Sequence, residues 1–425
     1  MKFLMKIILV MGIICLFRGE EAAAERSLQS QINRIPEGGT LRLKEGIYNE
    51  AIVLKKPIVI EGEKGAVFRV CSRKPAISIT GKKVTLKRIK IVGCKKQLSP
   101  AAIYVTGTHH HLEDLTIHYG KAGLTLENVK NTSFRNIKIS GAGKENGCNL
   151  WESYYNTFTK IQMDHVQDGF YMENSHYNKF EKNVIYDSRY GLHVMFSNHI
   201  TIKRNKLKRN FTGAMMMGTS QSVIEGNQLM DNNQNVNAQG LLLYHVYHST
   251  IKDNRISGNR VGMFMEESNS NEIKNNVFST NFIGAQINNI KKNVIEGNSF
   301  IRNVNEFQAN GGHGNRIQFN YWDAAINLDT DGDGKSNLPY KADPYFLNLV
   351  KETPSYQLFF QHPGLVLLKK MLKSPEDLLV TDEKPLMNLK EKNIRKEPHM
   401  AATWLISLFM IFGSLLIIHC GRKKV

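Results

Sequence analysis

Over most of the chain, apolar and polar residues alternate in short runs that are broken by asparagine, glycine or serine. The stretch SNHITIKRNKLKRNFTG (197–213) is typical. Alternation with a period of two over such short runs predicts β-strands rather than helices. The runs also recur. Tetrapeptides such as FEKN, IKRN, IKDN and IKNN end on asparagines that share one phase of a repeat: Asn183, Asn205, Asn227 (which follows Gly226), Asn254, Asn276, Asn298 and Asn320.

The interval between these asparagines is 22 residues, except for 27 residues between Asn227 and Asn254. Leucine-rich repeats have a similar period, but the leucine ladder and the helical half of each unit are missing. The pattern therefore predicts an all-β fold, a right-handed parallel β-helix over residues 25–322. At this period it has room for roughly twelve or thirteen coils, stacked at roughly 4.8 Å. Asparagines at one phase are expected to form a structural ladder along one edge.

The opening of the repeat region also carries a resemblance. GGTLRLKEGIYNEAIVLKKPIVIEGEKGAVF (38–68) looks like the entry of pectin-lyase-like β-helices. Cys71 and Cys94 lie 23 residues apart, or about one coil, so they are expected to be neighbours. They would form a disulfide if both point the same way, and a cysteine stack otherwise.

Both ends of the chain carry membrane-related signals. Residues 1–24 have basic, apolar and small-residue regions in the order of a secretory signal peptide. Residues 400–421 include twenty uncharged residues, enough to span a bilayer, and the tail 422–425 is basic. These features predict an exported protein anchored to the cell membrane by a C-terminal transmembrane helix, with a short cytoplasmic tail.

Between the solenoid and this span, the sequence predicts two further segments. Residues 323–373 read as an Asp-rich capping loop followed by short amphipathic helices, and 374–399 as a charged spacer.

The formal net charge is +18, from 56 basic and 38 acidic residues. In an exported protein this excess suggests acidic wall polymers, anionic lipids or an acidic partner, and makes nucleic acid an improbable one.

The orientation of the methionines follows from the repeat. Each unit has a glycine followed by a strand whose first and third residues are apolar, so this phase faces the core. Met172, Met216, Met263 and Met265 are therefore predicted to be core residues. The second and fourth residues face outward, and they include His193, Met195, Met215 and Met217.

These four outward residues are predicted to form one small surface square, since His193 stacks on Met215 and Met195 on Met217. Tyr171, Glu173 and Tyr244 flank the square. Thioether and imidazole groups suit copper, particularly Cu(I), bound transiently. The alternative is an exposed apolar patch that docks another protein.

Several stretches resemble the NosD family: RYGLHVMFSN (189–198), QGLLLYHVYHSTIKDNRI (239–256), the run from NYWDAAIN to SYQLFF (320–360), and VTDEKPLM (380–387). The resemblance covers roughly residues 30 to 390. It implies a non-catalytic, extracytoplasmic β-helical protein that assists copper delivery during maturation of nitrous oxide reductase. The implied partners are the ABC-type transporter subunits NosF and NosY, the copper chaperone NosL and the reductase. The C-terminal membrane span departs from the family pattern.

The sequence also leaves two other kinds of site open, a calcium-binding loop and a carbohydrate-active site. Asp329, Asp331 and Asp333 resemble the start of an EF-hand loop, but position 12 is Tyr340, so calcium binding or a simple cap remain equal alternatives. Carbohydrate-active enzymes share the β-helix, so a cell-surface polysaccharide lyase, hydrolase or binding protein is the alternative function. Glu173 and Glu266 are four coils apart, roughly 19 Å, which is too wide for a glycosidase pair.

Overall fold

The computed structural model describes residues 27–94, 99–342 and 379–389, together with residues 353, 356 and 410. A short helix, α1 (Leu28–Arg34), precedes the strands. The strands are, in chain order, β1 (Thr40–Leu43), β2 (Gly46–Tyr48), β3 (Ile52–Leu54), β4 (Val59–Gly62), β5 (Ala66–Phe68), β6 (Ile77–Ile79), β7 (Thr85–Lys87), β8 (Lys90–Val92), β9 (Ala101–Thr108), β10 (His111–Glu113), β11 (Thr116–His118), β12 (Ala122–Lys130), β13 (Ser133–Arg135), β14 (Lys138–Ser140), β15 (Cys148–Trp151), β16 (Thr157–Thr159), β17 (Gln162–Asp164), β18 (Asp168–Glu173), β19 (Lys179–Glu181), β20 (Val184–Tyr186), β21 (Tyr190–Met195), β22 (Thr201–Lys203), β23 (Lys206–Lys208), β24 (Thr212–Ser220), β25 (Val223–Glu225), β26 (Gln228–Met230), β27 (Gln239–Tyr247), β28 (Thr250–Lys252), β29 (Arg255–Ser257), β30 (Val261–Glu266), β31 (Glu272–Lys274), β32 (Val277–Ser279), β33 (Ile283–Lys291), β34 (Val294–Glu296), β35 (Ser299–Ile301), β36 (Asn305–His313), β37 (Arg316–Gln318), β38 (Tyr321–Trp322), β39 (Tyr340–Ala342) and β40 (Val380–Asp382).

Every third strand belongs to the same sheet, as expected when each coil contributes one strand to each of three sheets. Sheet A runs from β1 to β37 and sheet B from β2 to β38, each with 13 strands, and sheet C runs from β3 to β36 with 12. All neighbouring strands in these sheets are parallel, as β21 and β24 illustrate. The fold is a right-handed parallel β-helix of about 13 turns, and the predicted solenoid is confirmed.

The core lies inside the three sheets and consists of equivalent residues stacked from coil to coil. The rings of Phe134, Phe158 and Phe180 stack with centroids 4.7 and 4.9 Å apart. Met172, Met216, Met263 and Met265 are also buried, and none of them is more than 1% exposed. The apolar phase of the repeat therefore faces the core, and these four methionines are filler.

The seven repeat asparagines form a continuous buried ladder. From Asn183 to Asn298, each backbone N–H donates to the side-chain Oδ1 of the next asparagine at 2.8 to 3.0 Å. Each side-chain amide also donates to a carbonyl of the preceding coil, as Asn254 does to Ile224 at 2.9 Å. The longer interval after Asn227 corresponds to the loop 231–238 between β26 and β27.

The N-terminal end of the solenoid is covered by helix α1, which buries Leu28 and Ile32. Its N-cap is Ser27, whose side chain accepts from the N–H of Ser30, and Glu50 accepts from the N–H of Leu28 at 2.6 Å. Cys71 and Cys94 form a disulfide with their Cα atoms 5.7 Å apart. Of the two alternatives for this pair, the structure has the bond.

The C-terminal end is closed by a segment from beyond the predicted cap. Strand β40 pairs antiparallel with β39. From β40, Asp382 Oδ2 accepts hydrogen bonds from the backbone N–H and the side chain of Asn320 and from the indole of Trp322, all at 3.0 Å. The spacer predicted over 374–399 is therefore wrong for residues 380–387, which pack on the last coil because Asp382 satisfies its open donors.

Three predicted segments lie outside the described residues: the signal peptide, most of the amphipathic helices after 342, and the span 400–421 apart from Met410. Within the described part of the chain, no helix is long and apolar enough to cross a membrane.

Candidate functional site

Strands β21 and β24 of sheet C bring the predicted soft ligands side by side. His193 is the register partner of Met215, and Met195 is the register partner of Met217. This follows from the 22-residue spacing of the two units, because equivalent residues of adjacent coils occupy neighbouring strands. The square anticipated from the repeat is present in the backbone register.

The square is more enclosed than the alternation of side chains suggested. His193 and Met215 are each only 8% exposed, whereas Met195 and Met217 are half-buried. His193 and Met215, predicted to lie in a surface square, are therefore buried in the structure. The reason is lateral packing: the rings of Tyr190 and Tyr171 meet His193 edge-on, with centroids 4.8 and 5.2 Å away.

A buried carboxylate holds the histidine in place. Asp168 Oδ2 lies 2.9 Å from His193 Nδ1, and the Asp168 side chain is fully buried. Arg189 binds the same carboxylate through two atoms, Nη2 to Oδ2 at 2.7 Å and Nε to Oδ1 at 2.8 Å. The Arg189 guanidinium also lies over the ring of Tyr190, 4.7 Å from its centroid.

Sequence reasoning missed Asp168 and Arg189. Asp168 directly precedes the register glycine Gly169, and the corresponding residues of the next units are Tyr190, Thr212 and Gln239. The available signal was a carboxylate directly before the register glycine, together with a basic residue, Arg189, in the next repeat unit. This position lies before the glycine, outside the strand phases that alternation orients.

The network favours an ionised Asp168. Burial alone would raise the pKa of Asp168, but hydrogen bonds from His193 and Arg189, and the charge of Arg189, outweigh it and hold the pKa below its usual range. A carboxylate accepts hydrogen bonds only. His193 must therefore donate from Nδ1, which leaves Nε2 of the neutral ring with a lone pair.

The lone pair of Nε2 lies on the part of the His193 ring that does not contact Asp168. Asp168 lies on β18, and β21 separates it from Met215 on β24. No other described residue forms a hydrogen bond with His193 Nε2. A histidine that donates its second nitrogen to a carboxylate is the usual arrangement of a metal-ligating imidazole.

The flanking residues have separate roles. Tyr171 donates a hydrogen bond to Glu173 at 2.9 Å, and burial together with this carboxylate raises the pKa of Tyr171 to about 12. Glu173 is the register partner of Met195. Tyr244 is the register partner of Met217 and stacks on His245, with centroids 4.1 Å apart.

The aspartate loop differs in character from this site. Carboxylate oxygens of Asp329, Asp331 and Asp333 lie within 4.8 Å of one another. Asp329 accepts from the N–H groups of Gly332 and Gly334 at 2.7 and 3.0 Å, and Asp333 pairs with Lys335 at 2.8 Å. These contacts are those of a self-capped turn, and nothing supports calcium there.

The two outward glutamates do not form a catalytic pair. Met195, Met217 and Tyr244 occupy the register positions between Glu173 and Glu266, so four coils separate the two carboxylates. A glycosidase mechanism needs its carboxyl groups within roughly 10 Å of each other. This ladder therefore does not provide such a mechanism.

Comparison with known proteins supports the family likeness. Residues 135–330, which include the whole square and the asparagine ladder from Asn183 to Asn320, match the family described as "Periplasmic copper-binding protein (NosD)". The resemblance to the NosD family is confirmed over this stretch. No curated protein matches the chain.

Solved structures share the solenoid. The periplasmic alginate epimerase AlgG is 12% identical, with a TM-score of 0.51, covering 69% of this chain and 83% of that chain. A PL6 alginate lyase in complex with a trisaccharide is 11% identical, with a TM-score of 0.50, covering 70% of this chain and 82% of that one. At these identities the likeness concerns the fold alone.

Proposed function

We propose that this chain is an extracytoplasmic copper-binding accessory protein whose ion is held by His193, Met195, Met215 and Met217. The observation that carries the proposal is the hydrogen bond from His193 Nδ1 to the buried Asp168, which leaves Nε2 available as a ligand beside three thioethers on the same two strands. Thioethers are soft ligands and favour Cu(I). The match to a family described as periplasmic and copper-binding points to the same ion.

The half-buried state of the site suits transfer rather than storage. His193 and Met215 are covered, while Met195 and Met217 remain accessible from solvent. An ion could thus enter or leave beside Met195 and Met217 and be held beside His193 and Met215. On the resemblance to the NosD family, the recipient would be nitrous oxide reductase, served together with NosF, NosY and NosL. A membrane tether through residues 400–421 would keep the site at the cell surface.

Replacement of Met195 and Met217 by leucine tests the copper assignment. Leucine preserves apolar volume and removes the sulfur, so a patch that only docks a partner survives the change. The expected result is loss of Cu(I) binding in an anaerobic competition assay with a chromophoric Cu(I) chelator. Partner capture from membrane extracts should be retained.

A matched control lies on the opposite face of the same sheet. Met172 on β18 and Met216 on β24 are fully buried in the core, so their replacement by leucine removes two sulfurs without touching the site. This double variant should bind Cu(I) like the wild type. Equal Cu(I) affinity in the outward double variant and the core double variant would refute the copper site.

One observation favours a second candidate, a carbohydrate-active enzyme. A histidine oriented by a buried aspartate, with an arginine and a tyrosine beside it, is also an acid–base arrangement. Under this alternative, His193→Gln would abolish release of product from an anionic polysaccharide such as alginate, and the Met195/Met217 double variant would not. Product release by the wild type, with no Cu(I) binding, would replace the copper proposal.

A further inference from the structure

Arg189 reaches the candidate copper site without contributing a ligand to it. Its guanidinium binds both oxygens of Asp168, the residue that holds His193. We infer that Arg189 sets the charge of the site so that it accepts a monovalent ion in preference to a divalent one. This inference rests on the proposed function, and it concerns selectivity rather than binding itself.

The charge of the site comes from residues beside the ligands. Three thioethers and a neutral imidazole carry no charge, so the charged neighbours decide the local field. Asp168 contacts His193 directly, and Glu173 is the register partner of Met195. Arg189 is the cation paired with Asp168. Two carboxylates and one guanidinium leave a single net negative charge, which one monovalent cation neutralises.

Removal of the guanidinium changes this balance. Asp168 is fully buried, so its charge is poorly screened by water. Without Arg189 the site would carry two uncompensated negative charges, which match a divalent cation better than a monovalent one. The Tyr171 hydroxyl donates to Glu173 and leaves its charge in place. Arg189 is therefore a specificity-determining residue that acts through Asp168.

The test compares the dissociation constants of Cu(I) and Cu(II) in full-length variants. Arg189→Gln should shift the ratio of Cu(I) to Cu(II) affinity toward Cu(II) by about tenfold, the effect of one unit charge several ångströms away in a partly screened site. Arg189→Lys keeps the charge and should keep the wild-type ratio. The ratio of the Cu(I) and Cu(II) affinities is compared, rather than either affinity alone, because proton competition at His193 affects the binding of both ions alike.

The chain offers a matched control for the loss of an arginine. Arg209 binds Asp187 through Nε and Nη2 at 2.8 and 2.9 Å, and its side chain is 44% exposed, as is that of Arg189. Neither member of this pair forms a hydrogen bond or an ion pair with any of the four ligands. Arg209→Gln should leave the ratio unchanged.

A second variant moves the charge in the opposite direction. Glu173→Gln removes a half-buried negative charge while its amide oxygen can still accept from Tyr171. It should shift the ratio severalfold toward Cu(I), and it decides the question even if Arg189→Gln fails to fold. Ratios within twofold of wild type in a folded Arg189→Gln or Glu173→Gln protein would overturn the inference. Absence of Cu(I) binding in the wild type would instead overturn the proposed function.

Discussion

Asp382 Oδ2 lies 3.0 Å from the side-chain nitrogen of Asn320, although 62 residues separate the two along the chain. Asn320 is the last member of the asparagine ladder, and within the described ranges no further coil follows to accept from it. The same carboxylate oxygen accepts from the Asn320 backbone N–H and the Trp322 indole. Asp382 therefore takes the place of the missing next asparagine and closes the solenoid.

Loss of this closing carboxylate should destabilise the C-terminal coils. Asp382→Ala leaves the backbone N–H of Asn320 and the indole N–H of Trp322 without an acceptor, at about 1–3 kcal/mol each before relaxation. We expect the free energy of unfolding to fall by about 3 kcal/mol or more in urea titrations. Asp382→Asn retains a carbonyl oxygen and serves as the control. Equal stability of the alanine and asparagine variants would contradict the closing role.

An interior member of the ladder should be just as sensitive. Asn254 accepts from the N–H of Asn227 and donates to Ile224 and Asn276. Its replacement by alanine leaves several buried polar groups without hydrogen-bond partners. We therefore expect a loss of about 3 kcal/mol or more in the free energy of unfolding. Asn237→Ala, in the exposed part of the loop 231–238, should stay within about 0.5 kcal/mol. Similar losses in both variants would argue against a ladder role.

The tautomer of His193 is a direct readout of the Asp168 contact. Because the carboxylate accepts from Nδ1, nitrogen NMR of the metal-free protein should show His193 protonated at Nδ1 in the neutral form. Asp168→Ala removes the acceptor and should populate the other tautomer substantially. Asp187→Ala, which breaks the exposed Arg209 pair instead, should leave the His193 spectrum unchanged. A wild-type His193 protonated at Nε2 would contradict the proposed direction of its lone pair.

The end of the solenoid should also confer a pH dependence on stability. Burial, and secondarily its interaction with Asp323, raises the pKa of Glu306 to about 8. The folded state therefore binds a proton that the unfolded state has already released between the ordinary pKa of 4.5 and about 8. Stability contributed by this group is present below pH 4.5 and is lost as the pH rises through 8.

Replacement of Glu306 by glutamine should remove that dependence. The variant mimics the protonated form, so its free energy of unfolding should fall less than that of wild type between pH 5 and 8, by a few kcal/mol. Glu296→Gln, on a partly exposed side chain of sheet A, is the control and should follow the wild-type pH profile. Parallel profiles for wild type and Glu306→Gln would show that Glu306 is ionised in the folded protein.

Much of the architecture could be predicted from the sequence because a parallel β-helix is a local, repeating structure. The spacing of Asn183, Asn205 and Asn227 reports directly on which residues stack, since each coil contacts only its neighbours. The same spacing placed Met172 and Met216 in the core. It also gave the register that sets His193 beside Met215.

Periodicity could not predict contacts between different phases of the repeat. Asp168 reaches His193 from the start of the preceding strand, and Arg189 reaches Asp168 from the turn before β21. The burial of His193 depends on how the rings of Tyr190 and Tyr171 pack beside it, which alternation along one strand does not report. The same limit applies to Asp382, whose partner Asn320 lies far away in sequence.

The sequence by itself therefore determined the solenoid, the orientation of each strand residue and the register of the candidate soft ligands, because these follow from a period and from alternation. Only the tertiary structure decided which ligand is oriented, what charge surrounds it and how the last coil is closed. Those properties depend on side chains that meet across corners and ends of the coils, where no repeat relates one residue to the other.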